Sequence, residues 1–160
     1  MTSTQHDHKG HVYGPGEGAR AWWFLGSLMT LKAGTDDTNG SFTLLEQYMP
    51  PGFAPPNHIH HDEEEVFGII EGHLNVMCGS DQWIARPGDT VVLPRGVLHG
   101  FSVHGDEPAR IWHLTAPAKF ERFVDQVGVP AEAMTLPGDL PIDIEETVRV
   151  AAEFGYEIVL

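Results

Sequence analysis

The stretch Gly52-Phe-Ala-Pro-Pro-Asn-His58-Ile-His60-His-Asp-Glu-Glu-Glu65-Val-Phe-Gly-Ile-Ile-Glu-Gly72 sets two imidazoles and a carboxylate between framing glycines. Side chains alternate faces along a strand, so His58 and His60, two apart, project from the same side. Glu65 opens the apolar run Val66 to Ile70. The acidic, non-periodic residues His61 to Glu64 read as a short connector that returns the chain toward His60, and as a solvated acidic rim. Glu71-Gly72 reads as a hairpin turn, with His73 to Cys78 as the returning strand. A carboxylate then faces the two histidines.

A second run, Gly88-Asp-Thr-Val-Val-Leu-Pro94-Arg-Gly96-Val-Leu-His99, adds a third imidazole after a buried strand and a Pro/Gly turn. In a closed barrel His99 reaches the same centre. Three neutral imidazoles and one carboxylate suit a divalent first-row transition metal ion better than calcium or magnesium, which take mostly oxygen. Iron, nickel, manganese, cobalt, copper and zinc all satisfy that donor set. Four protein ligands on a six-coordinate ion leave two positions for substrate, water or dioxygen, which points to catalysis rather than a structural role. Ten histidines in 160 residues make chance pairs common, but chance does not supply the framing glycines and prolines as well.

Around these runs lie further short apolar segments separated by Gly and Pro turns. Ala21 to Leu31 reads as one strand and Phe42 to Met49 as another; Gln82 to Ala85 and Ala109 to Thr115 follow. Some eight to ten such strands predict an all-β fold, an antiparallel jelly-roll β-barrel. After Pro117 the period becomes helical. Phe120, Phe123, Val124 and Val127 form one stripe ending at Gly128, and Asp143-Ile-Glu-Glu146 opens a second helix with Ile144, Val148 and Ala151 inward and Gly155 as its stop. The expected organisation is a flexible N-terminal arm over 1–18, a barrel over 19–116 and a C-terminal helical segment packing on the barrel over 117–160. His6, His8 and His11 of the arm are expected to bind metal only adventitiously.

The length fits one domain. A net charge of −14 with nine Lys and Arg lacks the basic stripe that phosphate backbones require, so nucleic acid is excluded as a partner. No apolar run approaches the ~20 residues of a membrane span, and Met1 to His8 lacks the pattern of a signal peptide. A cytoplasmic protein is expected, and the lone Cys78 agrees with a reducing compartment. Spare strand edges and four tryptophans suggest a homodimer.

Strand parity orders the pocket. If Glu65 faces inward, so do Phe67 and Ile69, and if His99 does, Phe101 and Val103 follow. Phe53 stands where the chain comes up to the centre, and His113 shares a face with Ile111 and Thr115, as an interior or proton-handling histidine. An apolar, aromatic wall suits a flat small-molecule substrate, aromatic or enolic, better than a sugar phosphate.

These residues resemble the two signature motifs of the cupin superfamily. The first, Gly-x5-His-x-His-x(3,4)-Glu-x6-Gly, is met by Gly52, His58, His60, Glu65 and Gly72. The second, Gly-x5-Pro-x-Gly-x2-His-x3-Asn, is met by Gly88, Pro94, Gly96 and His99, with Val103 in the place of Asn. The chain looks like small single-domain bacterial cupins related to quercetin 2,3-dioxygenase, and like the cupin cyclases of aromatic polyketide pathways. The resemblance implies His58, His60, Glu65 and His99 as metal ligands. Glu65 is also expected to be a catalytic proton acceptor, because a carboxylate can leave the ion when substrate arrives. The leading expectation is an oxidoreductase, a metal-dependent dioxygenase of quercetinase type that consumes dioxygen. A redox-neutral metal-dependent cyclase or isomerase of polyketide-type metabolism is the first alternative, and a non-catalytic metal or small-molecule binding cupin the second.

Overall fold

Short β-branched and aromatic runs close into two facing antiparallel sheets in the computed structural model, which describes residues 9–160. The chain runs through β1 (Ala21–Phe24), β2 (Ser27–Ala33), β3 (Thr43–Met49), β4 (Asn57–His60), β5 (Glu64–Glu71), β6 (His73–Cys78) and β7 (Asp81–Ala85). It continues through β8 (Thr90–Leu93), β9 (His99–His104), β10 (Ala109–Ala116), α1 (Phe120–Val127), β11 (Val129–Pro130), α2 (Ile144–Glu153) and β12 (Tyr156–Val159). One sheet has the order β11-β1-β2-β3-β10-β5-β8 and the other β12-β4-β9-β6-β7. This is the jelly roll expected from the strand spacing.

Three local expectations are corrected. Ala21 to Leu31 is a hairpin rather than one strand: Leu25 and Gly26 both take positive φ, 52° and 93°, so two residues reverse the chain between β1 and β2. Glu71-Gly72 is not a hairpin either. β5 and β6 lie in different sheets, and Gly72 is where the chain crosses between them. Its φ is 73°, and a Cβ there would sit 2.5 Å from the Pro108 carbonyl oxygen, so the crossing requires glycine. In α2 the buried face is Thr147, Val150 and Ala151, while Ile144 is 39% exposed. Both stripes have helical spacing, and docking against the barrel selects between them. Asp143 caps this helix as its sequence predicts, accepting a hydrogen bond from the Glu146 amide at 2.9 Å.

Two apolar clusters fill the interior. One joins Phe67, Ile69, Phe101, Val103 and Ile111 between the sheets. The other packs Trp22, Phe24 and Leu45 against Phe120, Phe123, Val150 and Tyr156, so both helices close one end of the barrel. Cys78 packs partly buried against the first cluster, where burial, with Asp81 beside it, pushes its thiol above the usual value. At the start of the chain His11 Nε2 lies 2.6 Å from the Lys32 carbonyl and the Gly16 amide donates to Glu46 at 3.1 Å, which holds this segment against the barrel. His6 and His8 lie outside the described residues. Among the described residues no helix is long and apolar enough to cross a membrane.

Candidate metal centre

His58 and His60 lie on β4 and His99 opens β9 beside it, His58 and His99 being direct cross-strand partners. Glu65 projects from β5 in the facing sheet. One ligand atom from each of the four lies within 4.8 Å of the others. Glu65 Oε2 is 2.7 Å from His99 Nε2, 3.4 Å from His60 Nε2 and 3.8 Å from His58 Nε2, and the His58 and His99 Nε2 atoms are 3.1 Å apart.

The outer nitrogens decide what the inner ones present. Nδ1 of His58 is 2.9 Å from the Pro56 carbonyl and Nδ1 of His99 is 3.0 Å from that of Val97. Carbonyl oxygens only accept, so both Nδ1 atoms carry the proton. Nδ1 of His60 is held by the carboxylate of Glu63 at 2.8 Å. In neutral rings of this tautomer, three Nε2 lone pairs converge with a carboxylate oxygen inside the protein. Such an arrangement repels itself unless positive charge sits at the centre, and outer hydrogen bonds of this kind are how proteins orient imidazole ligands. The donor set therefore fits a divalent transition ion.

Electrostatics agree. Burial works against ionisation of Glu65, but the facing His60 and His113 outweigh it and hold its carboxyl well below the ordinary range. Burial likewise opposes charging of His58, yet its contact with Glu65 raises its value. The other oxygen of Glu65, Oε1, is 2.5 Å from Nε2 of His113 on β10, so Glu65 is fixed on one side by this ring and offers its second oxygen to the three histidines.

Beside the centre lies a cavity walled by Met29, Phe53, Phe101, Phe120, Phe123 and Tyr156, with a free space of about 60 Å³. Of the residues expected to line it, Phe53, Phe101 and His113 do so, whereas Phe67, Ile69 and Val103 are packed in the apolar cluster between the sheets. Strand parity puts Phe67, Ile69 and Val103 on the inward face with Phe101 but does not give their depth along the strand.

Two parts of the site escaped the sequence reading. Glu63, expected on a solvated rim, is fully buried against His60; its three-residue spacing from His60 was the available signal. Tyr156 pairs with His60 across β12 and β4, with the two rings 4.5 Å apart. Burial and the neighbouring Glu63 charge push its phenol far above the usual value. That pairing joins residues nearly a hundred positions apart and leaves no local pattern.

Comparison with known proteins agrees with the geometry. The family model for the cupin domain matches residues 45–115. Quercetin 2,3-dioxygenase of Bacillus subtilis is 26% identical over 110 residues, covering 69% of this chain and 32% of that protein. Acireductone dioxygenase 4 of Arabidopsis thaliana is 34% identical over 61 residues, 36% of this chain and 33% of that protein. The chain thus spans about a third of the length of these relatives. Among solved structures, KdgF from Halomonas sp. superposes with a TM-score of 0.56 at 17% identity, covering 63% of this chain and 91% of that one, a likeness of fold.

Proposed function

We propose, from the premise that this chain is a member of the cupin superfamily, that it is a metal-dependent oxygenase acting on a small aromatic or enolic molecule. The observation that carries the reading is the convergence of three Nδ1-anchored imidazoles and Glu65 beside an apolar cavity. His58, His60, Glu65 and His99 would hold one divalent transition ion, which when bound supplies a Lewis-acidic, open-sided centre for substrate and dioxygen. The protein does the rest. The aromatic walls exclude water and place the substrate against the centre. Glu65 accepts a substrate proton, its carboxylate held in place through Oε1 by the ring of His113.

Size narrows the substrate. A free space of about 60 Å³ is well below the roughly 150 Å³ that takes a benzene ring. The cavity as it stands therefore favours a compact enolic compound over a polycyclic one. Quercetin 2,3-dioxygenase and acireductone dioxygenase among the relatives support the oxygenase class. A redox-neutral isomerase or cyclase needs the same ligands, and the His113–Glu65 hydrogen bond favours it as a second reading, because proton transfer alone would suffice. Dioxygen uptake by metal-loaded protein decides between them. We expect substrate-dependent uptake that is abolished in His99→Ala; uptake that survives this substitution would sink the assignment, and turnover without oxygen would establish the second reading.

A further inference from the structure

Around His60, two polar atoms outside the four ligands are buried without a partner: Oε2 of Glu63 and Oη of Tyr156. Their residues are 0% and 4% exposed. Buried polar atoms are nearly always hydrogen-bonded, and a carboxylate oxygen left alone in the interior is a costly exception. One of these atoms is an acceptor and the other carries a hydrogen, so each is the kind of partner that the other lacks.

Both groups reach the same imidazole, from opposite ends of the site's sequence. Glu63 stands in the connector between β4 and β5, and its Oε1 lies 2.8 Å from His60 Nδ1. Facing a carboxylate oxygen, Nδ1 carries a proton whether the ring is neutral or charged. Tyr156 opens β12 as the cross-strand partner of His60, and its ring lies 4.5 Å from the imidazole at a tilt of 42°. The main chain beside it is tied down, because the His61 amide donates to the Gly155 carbonyl at 3.1 Å. Burial first, and then the neighbouring Glu63 charge, push the phenol far above its usual value, so it keeps its proton and remains a donor.

The three imidazoles are not supported alike. Nδ1 of His58 and of His99 lean on the Pro56 and Val97 carbonyls, which the main chain holds. His60 leans on a side chain whose last torsion is soft. We infer that Tyr156 is a positioning residue of the metal centre: its phenol donates to Glu63 Oε2, and the carboxylate so held fixes the orientation of His60 through Nδ1. The inference rests on reading His58, His60, Glu65 and His99 as one metal centre. Outer partners of this kind set how well an imidazole presents its other nitrogen to an ion. Tyr156 also lines the cavity, and a hydroxyl that served only an occupant of that space would leave His60 undisturbed.

The test is proton NMR of the protein loaded with cobalt(II) alone, in which the exchangeable Nδ1 protons of ligating imidazoles stand apart from the rest of the spectrum. Cobalt affinity is measured on the same samples. In Tyr156→Phe, which keeps the ring and removes only the hydroxyl, the His60 Nδ1 signal should shift and exchange faster with solvent, while those of His58 and His99 stay in place. Cobalt should bind roughly tenfold more weakly. Added to Glu63→Gln, the same substitution should cost nothing further, because Tyr156 acts only through Glu63. A packing role alone would lower the melting temperature and leave the His60 signal where it is. Should Tyr156→Phe fail to fold, wild type carrying fluorotyrosine, a stronger phenol donor, should move the same signal. An unmoved His60 signal, or an affinity loss just as large in the Glu63→Gln background, would overturn the inference. Wild type that takes up no cobalt overturns it together with the metal centre, whereas cobalt bound with an unmoved signal overturns only the role of Tyr156.

Discussion

Glu63 shows how much of the candidate metal centre depends on a residue that touches only the outer nitrogen of His60. Its carboxylate holds His60 Nδ1 at 2.8 Å and is fully buried, so His60 Nε2 is aimed and made more basic before any ion arrives. Glu63→Gln should lower metal affinity about 10- to 100-fold in competition with a chromogenic chelator, with the fold unchanged by circular dichroism; equal affinity would deny it the role. At this scale the sequence was legible where chemistry repeats locally. His58, His60, Glu65 and His99 stood out by spacing and framing turns, and all four meet. Glu63 and Tyr156 did not stand out. One lay in an acidic run that reads as solvated, and the other meets His60 only through the pairing of β12 with β4.

Among the elements, the buried charge of Glu46 on β3 ties together parts of the chain that sequence reading kept apart. It pairs with Lys32 of β2 at 2.9 Å and Arg110 of β10 at 2.6 Å, and accepts from the Gly16 amide. Burial alone would raise its carboxyl, but Lys32, the Gly16 amide and Arg110 together lower it. A lowered folded value means that its stabilisation is complete above the ordinary value of 4.5 and fades as pH falls through the folded one. Glu46→Ala should therefore cost about 3 kcal/mol at neutral pH, because it strands a buried lysine. In urea unfolding the gap to wild type should close in acid below about pH 4.5; a gap independent of pH would contradict the assignment. The elements themselves were readable wherever period and punctuation agreed, as in α1, stopped at Gly128, and the Asp143 cap of α2. They were misread where a decision depends on packing: the Leu25-Gly26 reversal lies inside a continuous apolar run, and Gly72 crosses between sheets where a local turn looks the same.

For the whole molecule, the converging imidazoles and carboxylate couple metal to folding. β4, β9 and β5 bring the four side chains together only in the folded state, so an ion held there stabilises by mass action. At metal concentrations near one hundred times the dissociation constant the gain is about 2.7 kcal/mol, which for a domain of this size corresponds to a melting shift of roughly 5–10 °C on chelation. An unchanged melting temperature would mean that the four residues do not act as one site. The strongly acidic chain, with net charge −14, favours cations in general, so stability alone does not locate the ion.

Elemental mass spectrometry of tag-free protein purified from its own host, beside His99→Ala, tests the central claim most directly. We predict about one transition ion per chain in wild type and its loss in His99→Ala. Wild type without stoichiometric metal, or a variant that keeps the same ion in full, would contradict the assignment of these four residues as a metal centre.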